Sequence, residues 1–314
     1  MDQRKLIQHG TSSLTISIPN KWLKQRNLKK GDSLYVEEEG NKLIVSTDQA
    51  LKLNNITIDI TDLDRTSALL HVQSLYRFGY NEIEIRFDET RLEHYRKNEK
   101  PTTSSVMHYT INRLIGAEII EETKNKIKIK QVTRELEDDF KVILRRVFLL
   151  LKEMSEEFIQ AIENNDKETI ETMDDKHDNF TKFVSYALRL LNKYGYPDVK
   201  KTCFYYHIIA SLDKIVDIIK YCARDTLEYK NKANKETIAI LKGIHASIEL
   251  YYDFFYNFDL KKANTLNKNR EEIKNKIKKK AKSLPIEEVI LLTNMKHILE
   301  LLLDLTDFRM GLEY

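Results

Sequence analysis

Two short segments decide the fold: Ile162–Asp166, with the sequence IENND, and Phe255–Asp259, with the sequence FYNFD. They lie 93 residues apart, and this offset also aligns several positions downstream. Those pairs are Met173 with Leu266, Asp178 with Glu271, Phe180 with Ile273, and Val184 with Ile277. A long repeat with apolar residues at helical spacing predicts two groups of three helices, each burying its apolar stripes internally. The predicted helices cover 135–163, 167–193 and 201–228, then 235–257, 260–282 and 286–309.

The composition agrees with a largely helical chain. Only 8 glycines and 4 prolines occur in 314 residues, so few residues interrupt helices. The same scarcity leaves no G-x-G-x-x-G segment and no Gly-Lys-Ser/Thr segment. Nucleotide binding through either of these loops is therefore excluded.

Two segments before the helical repeat predict strands. Residues 1–48 contain an alternating strand around Leu14–Ile18, a short helix at 21–27 and a hairpin of 33–37 with 42–47. Residues 52–131 predict a β-α-β-α-β module. Its strands lie around 56–60, 83–87 and 127–129, and its helices cover 67–78 and 104–114. We therefore predict a multidomain α+β protein with domains at 1–48, 52–131 and 133–314.

The surroundings of the protein are predicted from its cysteines and its hydropathy. Cys203 and Cys222 stand in apolar helical contexts, which predicts buried free thiols in a reducing cytoplasm. The sequence has no uninterrupted apolar stretch of about 20 residues, so membrane insertion is not expected.

Positive charge is concentrated at the start of the chain. The formal net charge of the whole chain is +3, whereas seven basic residues oppose one acidic residue in the first thirty positions. The basic residues are Arg4, Lys5, Lys21, Lys24, Arg26, Lys29 and Lys30. Such a face attracts nucleic-acid phosphates, although a solvated surface explains a basic cluster equally well. A module of this size is also too small for a comfortable core, which predicts that it dimerises.

The same module resembles the AbrB/SpoVT family of swapped-hairpin domains. The similarity lies in Arg4–Leu6, Gly10, Ser17–Leu23 (SIPNKWL), Leu28–Asp32 (LKKGD) and Lys42–Val45 (KLIV). It implies a homodimer whose hairpins interlace into a β barrel, with one basic face on DNA. The residues expected on that face are Arg4, Lys5, Lys24 and Arg26.

Two aspartate pairs in the helical repeat share the spacing i, i+4: Asp174 with Asp178, and Asp213 with Asp217. This spacing places both carboxylates of a pair on one helix face. Two such pairs on neighbouring helices of one bundle have the oxygen ligands that hard cations prefer. In a chain with 49 acidic residues, chance alone produces several pairs, so their position in one repeat is what distinguishes them.

This arrangement resembles the PhoU family, which is built from two three-helix repeats. Ser211–Asp217 (SLDKIVD) is similar to the third-helix motif of that family. The resemblance implies that the four aspartates hold a multinuclear iron centre or another divalent metal. In the second repeat the equivalent residues are Asn267, Glu271, Lys296 and Glu300. The lysine there predicts at most one metal centre, in the first repeat.

Taken together, the three segments resemble archaeal-type phosphate uptake regulators. The resemblance implies a phosphate-responsive regulator with DNA at its head and a phosphate transporter or signalling protein at its helical tail. A protein-only adaptor whose head serves dimerisation is a second hypothesis. A metal-dependent enzyme that uses the aspartate pairs is a third. Enzymatic activity is not expected, because the sequence has no Gly-x-Ser-x-Gly elbow and no Glu-x-x-His pair at its candidate ligands.

Overall fold

The structure, a computed structural model, describes residues 4–39, 42–47, 55–88, 90–133, 135 and 139–314. The chain divides into two compact units, residues 1–54 and residues 55–314. The predicted boundary between 48 and 52, and the tip of the predicted 39–41 turn, lie outside the described residues. The middle segment and the helical segment belong to the same compact unit.

The first unit contains two small antiparallel hairpins and one short helix. Strands β1 (Ile7–His9) and β2 (Ser13–Thr15) form the first hairpin around Gly10, whose φ of +74° suits glycine. Helix α1 (Asn20–Gln25) follows Pro19. Strands β3 (Tyr35–Glu39) and β4 (Lys42–Ser46) form the second hairpin. The two hairpins are separate two-stranded sheets, and the described residues of one chain form no closed barrel.

Local details of the first unit differ from the sequence prediction. Strand β2 stops at Thr15, so Ile16 and Ile18 lie beyond it. Strand β1 was not predicted, because three residues are too few to show an alternating pattern of apolar and polar side chains. Helix α1 begins at Asn20, one residue before the predicted start, and has no side-chain cap.

The second unit begins with a four-stranded mixed sheet covered by two helices. Its elements are β5 (Asn55–Asp59), α2 (Arg65–Phe78), β6 (Glu82–Arg86), α3 (Thr103–Ile111), β7 (Ala117–Thr123) and β8 (Lys126–Gln131). The strand order is β5-β6-β8-β7, with β5 and β6 parallel and the other neighbours antiparallel. The predicted β-α-β-α-β series therefore lacked one strand, β7. Its run of acidic residues conceals the alternating pattern.

Helix α2 is defined at both ends by local chemistry. The Asp64 carboxylate accepts hydrogen bonds from the backbone N–H groups of Thr66 and Ser67, at 3.0 and 3.1 Å. The helix ends at Gly79, which has a φ of +120°, as the sequence predicted. The missed Asp64 cap explains why the helix begins two residues earlier than expected.

Six long helices and one short helix make up the rest of the second unit. They are α4 (Asp139–Asn164), α5 (Lys167–Glu171), α6 (Met173–Tyr194), α7 (Val199–Thr226), α8 (Lys235–Tyr256), α9 (Leu260–Lys280) and α10 (Ile286–Glu313). The predicted helix 167–193 is interrupted at Thr172, which separates α5 from α6. The start of the predicted helix at 135 falls partly on residues outside the described set.

The long helices pack as two groups of three. Helices α4, α6 and α7 contact one another, as do α8, α9 and α10. The groups meet where α4 packs on α8 and where α7 packs on α10. Each residue of the apolar pairs aligned by the offset is buried: Met173, Leu266, Phe180, Ile273, Val184 and Ile277.

The two cysteines occupy different environments. Cys222 is buried, and desolvation raises the pKa of its thiol to about 12. Cys203 is exposed on α7, which corrects the expectation that both thiols are buried. The residues that follow it, Phe204 and Tyr205, are aromatic, but the position itself falls on the outer face of the helix.

Candidate functional site

The side chain of Arg189 joins α2 to α6 in the interior of the second unit. The Arg189 side chain is fully buried, and its guanidinium donates to the backbone carbonyls of Tyr76 and Tyr80 at 2.8 and 2.7 Å. It also donates to Asn81 Oδ1 at 2.9 Å and forms an ion pair with Glu135. A side chain from α6 thus donates to one carbonyl in the last turn of α2 and to one just after the helix ends.

Glu135 is the acidic centre of this joint. Lys193 Nζ lies 2.6 Å from its carboxylate, and Tyr194 donates its hydroxyl at 3.3 Å. Burial opposes ionisation of Glu135, but hydrogen bonds from Arg189 and Lys193 outweigh it and hold its pKa below the ordinary value.

Asp178, a predicted metal ligand, faces helix α3. Arg113 Nη2 lies 3.0 Å from its carboxylate, and the Tyr109 hydroxyl donates a short hydrogen bond to it. Burial works against the charged form, but the hydrogen bonds from His177 and Tyr109 and the charge of Arg113 lower the pKa of Asp178 overall. The carboxylate therefore fastens α6 to the layer that covers the sheet.

Asp213 makes the equivalent contact to helix α2. Arg77 Nη2 lies 3.1 Å from Asp213 Oδ2, and Arg77 Nε donates to Ser185 at 3.2 Å. Gln73 donates to the same Ser185 hydroxyl at 3.0 Å. Both members of the Arg77–Asp213 pair are largely withdrawn from solvent, which makes the contact specific in geometry.

Asp217 belongs to a buried network with His177 and Lys220. Lys220 Nζ lies 2.6 Å from Asp217 Oδ1 and 3.0 Å from His177 Nε2, and Asp178 accepts from His177 Nδ1 at 3.2 Å. His177 Nε2 also lies 3.0 Å from Asp217 Oδ1, and a proton on Nε2 donates to that carboxylate oxygen, to which Lys220 donates as well. Burial opposes the charge on Asp217, but the bonds from His177 and Lys220 lower its pKa far below the ordinary value.

Asp174 lies on the more exposed side of the same helix face. Arg224 Nη2 lies 2.6 Å from its Oδ1, and Arg224 Nε donates to the same carboxylate at 2.9 Å. All four predicted aspartates are therefore paired with a cationic side chain.

Acidic residues of the second helical group are also paired with cationic side chains. Glu300 accepts from Arg270 at 2.5 Å, and Lys274 Nζ lies 3.4 Å from it. Glu271 also pairs with both cations. These bonds lower the pKa of Glu300 against a desolvation effect that raises it.

The structure brings the aspartates onto one face, but their surroundings do not suit a metal centre. Across the described ranges, no three His, Cys, Asp or Glu side chains lie close enough to hold one ion. Arg77, Arg113, Lys220 and Arg224 occupy the positions from which a cation would approach. The metal assignment stays a prediction from resemblance, and the donor set as arranged does not fit it.

The predicted DNA-contacting residues lie in the first unit. Arg4, Lys5, Lys24 and Arg26 are all exposed. Arg26 lies over the Trp22 ring, with 4.7 Å between the guanidinium carbon and the ring centroid. Exposed cations of this kind suit contact with phosphates, which fix position without reading sequence.

The first unit also exposes a set of apolar side chains. They are Leu6, Ile7, Leu14, Ile16, Tyr35, Val36 and Leu43, and each is about half to two-thirds exposed. Among the residues of this unit whose side-chain exposure the structure describes, none is buried. One copy therefore does not cover its own apolar residues.

Sequence reasoning missed the residues that join the two layers of the second unit. Arg189 was not predicted, because an arginine inside an amphipathic helix usually marks the solvent face. Arg77 and Arg113 were missed because their partners lie 136 and 65 positions further along the chain. A possible signal for Arg189 is its position between leucines in the run Ala187–Leu191 (ALRLL).

Comparison with known proteins identifies one segment. Residues 7–49 match the family described as "Antidote-toxin recognition MazE, bacterial antitoxin". The match covers the first unit and supports a DNA-binding or antitoxin-type regulatory head. No curated protein and no solved structure matches the chain.

One further finding concerns membranes. Among the residues that the structure describes, no helix combines the length and the apolar character needed to cross a bilayer.

Proposed function

We propose that this chain is a regulatory protein that acts by binding: two copies associate through the first unit and present their basic residues to duplex DNA. The single observation that carries the proposal is the match of residues 7–49 together with the exposed apolar and basic side chains of the same segment. No covalent chemistry is part of this proposal, and we place its action in the cytoplasm.

Dimerisation follows from the apolar side chains that one copy leaves in water. Burying a leucine or isoleucine side chain contributes about 1.5–3 kcal/mol, so seven partly exposed apolar residues favour association. The Ile16→Glu variant should shift the protein from dimer to monomer in sedimentation equilibrium. The Val199→Glu variant is the control, because Val199 is exposed on the second unit. Equal dissociation constants for the two variants would contradict the proposed dimer interface.

DNA binding is tested with a head variant of the full chain. The double substitution Lys24→Gln and Arg26→Gln removes two exposed cations, and Lys97→Gln with Lys124→Gln is the matched control in the second unit. Each phosphate contact contributes a slope near −0.9 in log K against log salt. Binding to random duplex DNA is measured by fluorescence anisotropy. For the head variant, the slope of log K against log salt should become shallower by about 1.8 per copy. The control should keep the slope of the unsubstituted chain.

The finer proposal is that the helical segment conveys phosphate status from a phosphate transporter or signalling protein. The PhoU resemblance of residues 133–314 supports it, as does the helical repeat whose aligned apolar residues are buried. Deleting the gene should change the uptake rate of labelled phosphate when external phosphate is low. Unchanged uptake would contradict this part of the proposal and leave the DNA-binding part standing.

A protein-only adaptor is the second candidate. The observation that favours it is the description of the matched family, which names toxin recognition, a protein partner. A strain carrying the Lys24→Gln and Arg26→Gln chain separates the candidates. The adaptor predicts normal phosphate uptake in that strain, and the DNA-binding regulator predicts the deletion phenotype.

A further inference from the structure

One end of the second helical group collects lysines from two distant stretches of sequence. The stretch 274–282, at the end of α9, contains six lysines and no acidic residue. The stretch 229–235, which leads into α8, contains three lysines, at 230, 232 and 235. Helices α8 and α9 are joined by the short connection 257–259, so the start of α8 lies beside the end of α9. Lys280 Nζ contacts Glu236 Oε1 at 3.2 Å across this point.

Most of these lysines have no partner among the residues that the structure describes. Lys274 pairs with Glu271 and Glu300, and Lys280 pairs with Glu236. The others are exposed and form no ion pair or side-chain hydrogen bond with the described residues. We call this set the lysine end; its members are Lys230, Lys232, Lys235, Lys276, Lys278, Lys279 and Lys282.

The nearest acidic groups do not neutralise the lysine end. Glu288 is buried and accepts hydrogen bonds from the backbone and side chain of Asn234 and from Thr237, so it caps the start of α8. Glu236 is engaged by Lys280. The surface therefore keeps a net positive charge in a chain whose total is only +3.

Helix stability does not account for this accumulation. A cation in the last turn interacts with the helix dipole by about 0.3–1 kcal/mol, but that effect falls off within one turn. The pairs Lys274 with Lys278 and Lys276 with Lys280 stand at the spacing i, i+4 within α9. Like charges at this spacing destabilise a helix by about 0.2–0.5 kcal/mol each. The helix dipole favours Lys278, Lys279 and Lys280 in the last turn, but it does not account for Lys276 or for the lysines outside α9.

We propose that the lysine end binds the phosphate backbone of duplex nucleic acid, as a second contact in addition to that of the first unit. This inference rests on the proposed DNA-binding function. The set contains lysines only, which act as point charges toward phosphates and do not offer the bidentate fork that arginine presents to guanine. Asn231 and Asn275 lie among the lysines in sequence and add neutral hydrogen-bond donors suited to phosphate oxygens. The contact is thus independent of base sequence and strengthens binding wherever the head is placed.

The test uses the full chain in four forms. The first carries Lys276→Gln, Lys278→Gln, Lys279→Gln and Lys282→Gln; the second carries the head substitutions Lys24→Gln and Arg26→Gln. The third combines both sets. The control carries the same loss of charge at exposed lysines of the second unit, as Lys97→Gln, Lys124→Gln, Lys141→Gln and Lys200→Gln. Binding to random duplex DNA is measured by fluorescence anisotropy over a series of salt concentrations.

For the lysine-end variant, we expect the slope of log K against log salt to become shallower by about 2–4, and for the control we expect no change. The combined variant should lose the sum of the two separate losses. A lysine-end variant with the slope of the control overturns the inference, and the head variant then decides separately whether the proposed function stands. Loss of binding to phosphatidylserine vesicles with an unchanged DNA slope also overturns it, in favour of a lipid surface.

Discussion

Replacing Arg189 by methionine should weaken the packing of α2 against α6. The loss of stability should exceed that of any single change at the carboxylate face, which consists of Asp174, Asp178, Asp213 and Asp217. Methionine keeps an unbranched apolar stem, shorter than that of arginine, and removes the charge and the donors. The backbone carbonyls of Tyr76 and Tyr80 then lose the donors that lie 2.8 and 2.7 Å away, and Glu135 loses its ion pair. Breaking a buried pair from one side costs about 3–5 kcal/mol.

The structure decides where in this range the effect falls. After the substitution, Glu135 keeps Lys193 at 2.6 Å and Tyr194 at 3.3 Å, so its carboxylate still has a cationic partner and a hydrogen-bond donor. We therefore expect a loss near the lower limit, about 3 kcal/mol. The measurement is the free energy of unfolding from urea denaturation, followed by circular dichroism at a fixed protomer concentration, because dimerisation makes stability depend on concentration.

The pH dependence gives a second readout for the same variant. The pKa of Glu135 is lowered in the folded chain, so its contribution to stability is present above the unfolded value of about 4.3 and is lost as the pH falls through the folded value. The Arg189→Met variant should show a weaker loss of stability between pH 5 and pH 3, because the pKa depression shrinks.

Arg146→Met is the control, because Arg146 is exposed on α4 and lies 6.0 Å from the Phe183 ring. It should change the free energy of unfolding by about 0.5 kcal/mol or less. An Arg189→Met chain whose unfolding curve superimposes on that of Arg146→Met would refute the assignment of Arg189 as the joint.

Three further substitutions test other parts of the second unit. Asp217→Asn should cost about 1–3 kcal/mol, because it removes the charge that Lys220 neutralises at 2.6 Å; a variant that keeps the acid sensitivity of the unsubstituted chain would argue against this network. Gly79→Ala should cost about 1–3 kcal/mol in urea denaturation, because the position has a φ of +120° and a Cβ would approach Lys193 Cγ to 2.8 Å; a neutral effect would contradict the cap geometry. Phe148→Ala should cost about 3–5 kcal/mol, because this fully buried ring joins α4 to the aromatic residues of α8, and a loss below 1 kcal/mol would contradict that packing.

The helical repeat could be predicted from sequence because its signal is local and periodic. Apolar residues at Phe180 and Val184 keep the same spacing as Ile273 and Ile277, and burial enforces that spacing in both copies. Strand β7 could not be predicted, because its residues Ala117–Thr123 are mostly exposed and acidic and take their conformation from pairing with β8. The connection 91–102 appeared only as a polar stretch. The structure instead shows isolated antiparallel β-bridges that pair Arg91 with Thr102 and His94 with Glu99. The His94 side chain is buried.

The carboxylate face marks the limit of sequence reasoning in this protein. The pairs Asp174 with Asp178 and Asp213 with Asp217 have a spacing that suits a metal site and an ion-pair site alike, because both kinds of site use carboxylates on one helix face. The difference lies in what approaches from elsewhere. Arg113 and Arg77 come from the layer over the sheet, and no pattern within the helical repeat indicates them.

The arginines at this face have a consequence for how the second unit behaves. A bound metal exchanges with solvent and responds to metal supply, whereas Arg77 and Arg113 are covalently part of the chain. Their pairing with Asp213 and Asp178 therefore fixes the sheet layer to the helices permanently. The first unit has the opposite character, because its apolar side chains remain exposed in one copy and its cations are exposed to solvent. We therefore propose that association with a second copy and with polyanions takes place at the head and at the lysine end, while the aspartates of the carboxylate face are paired within the chain.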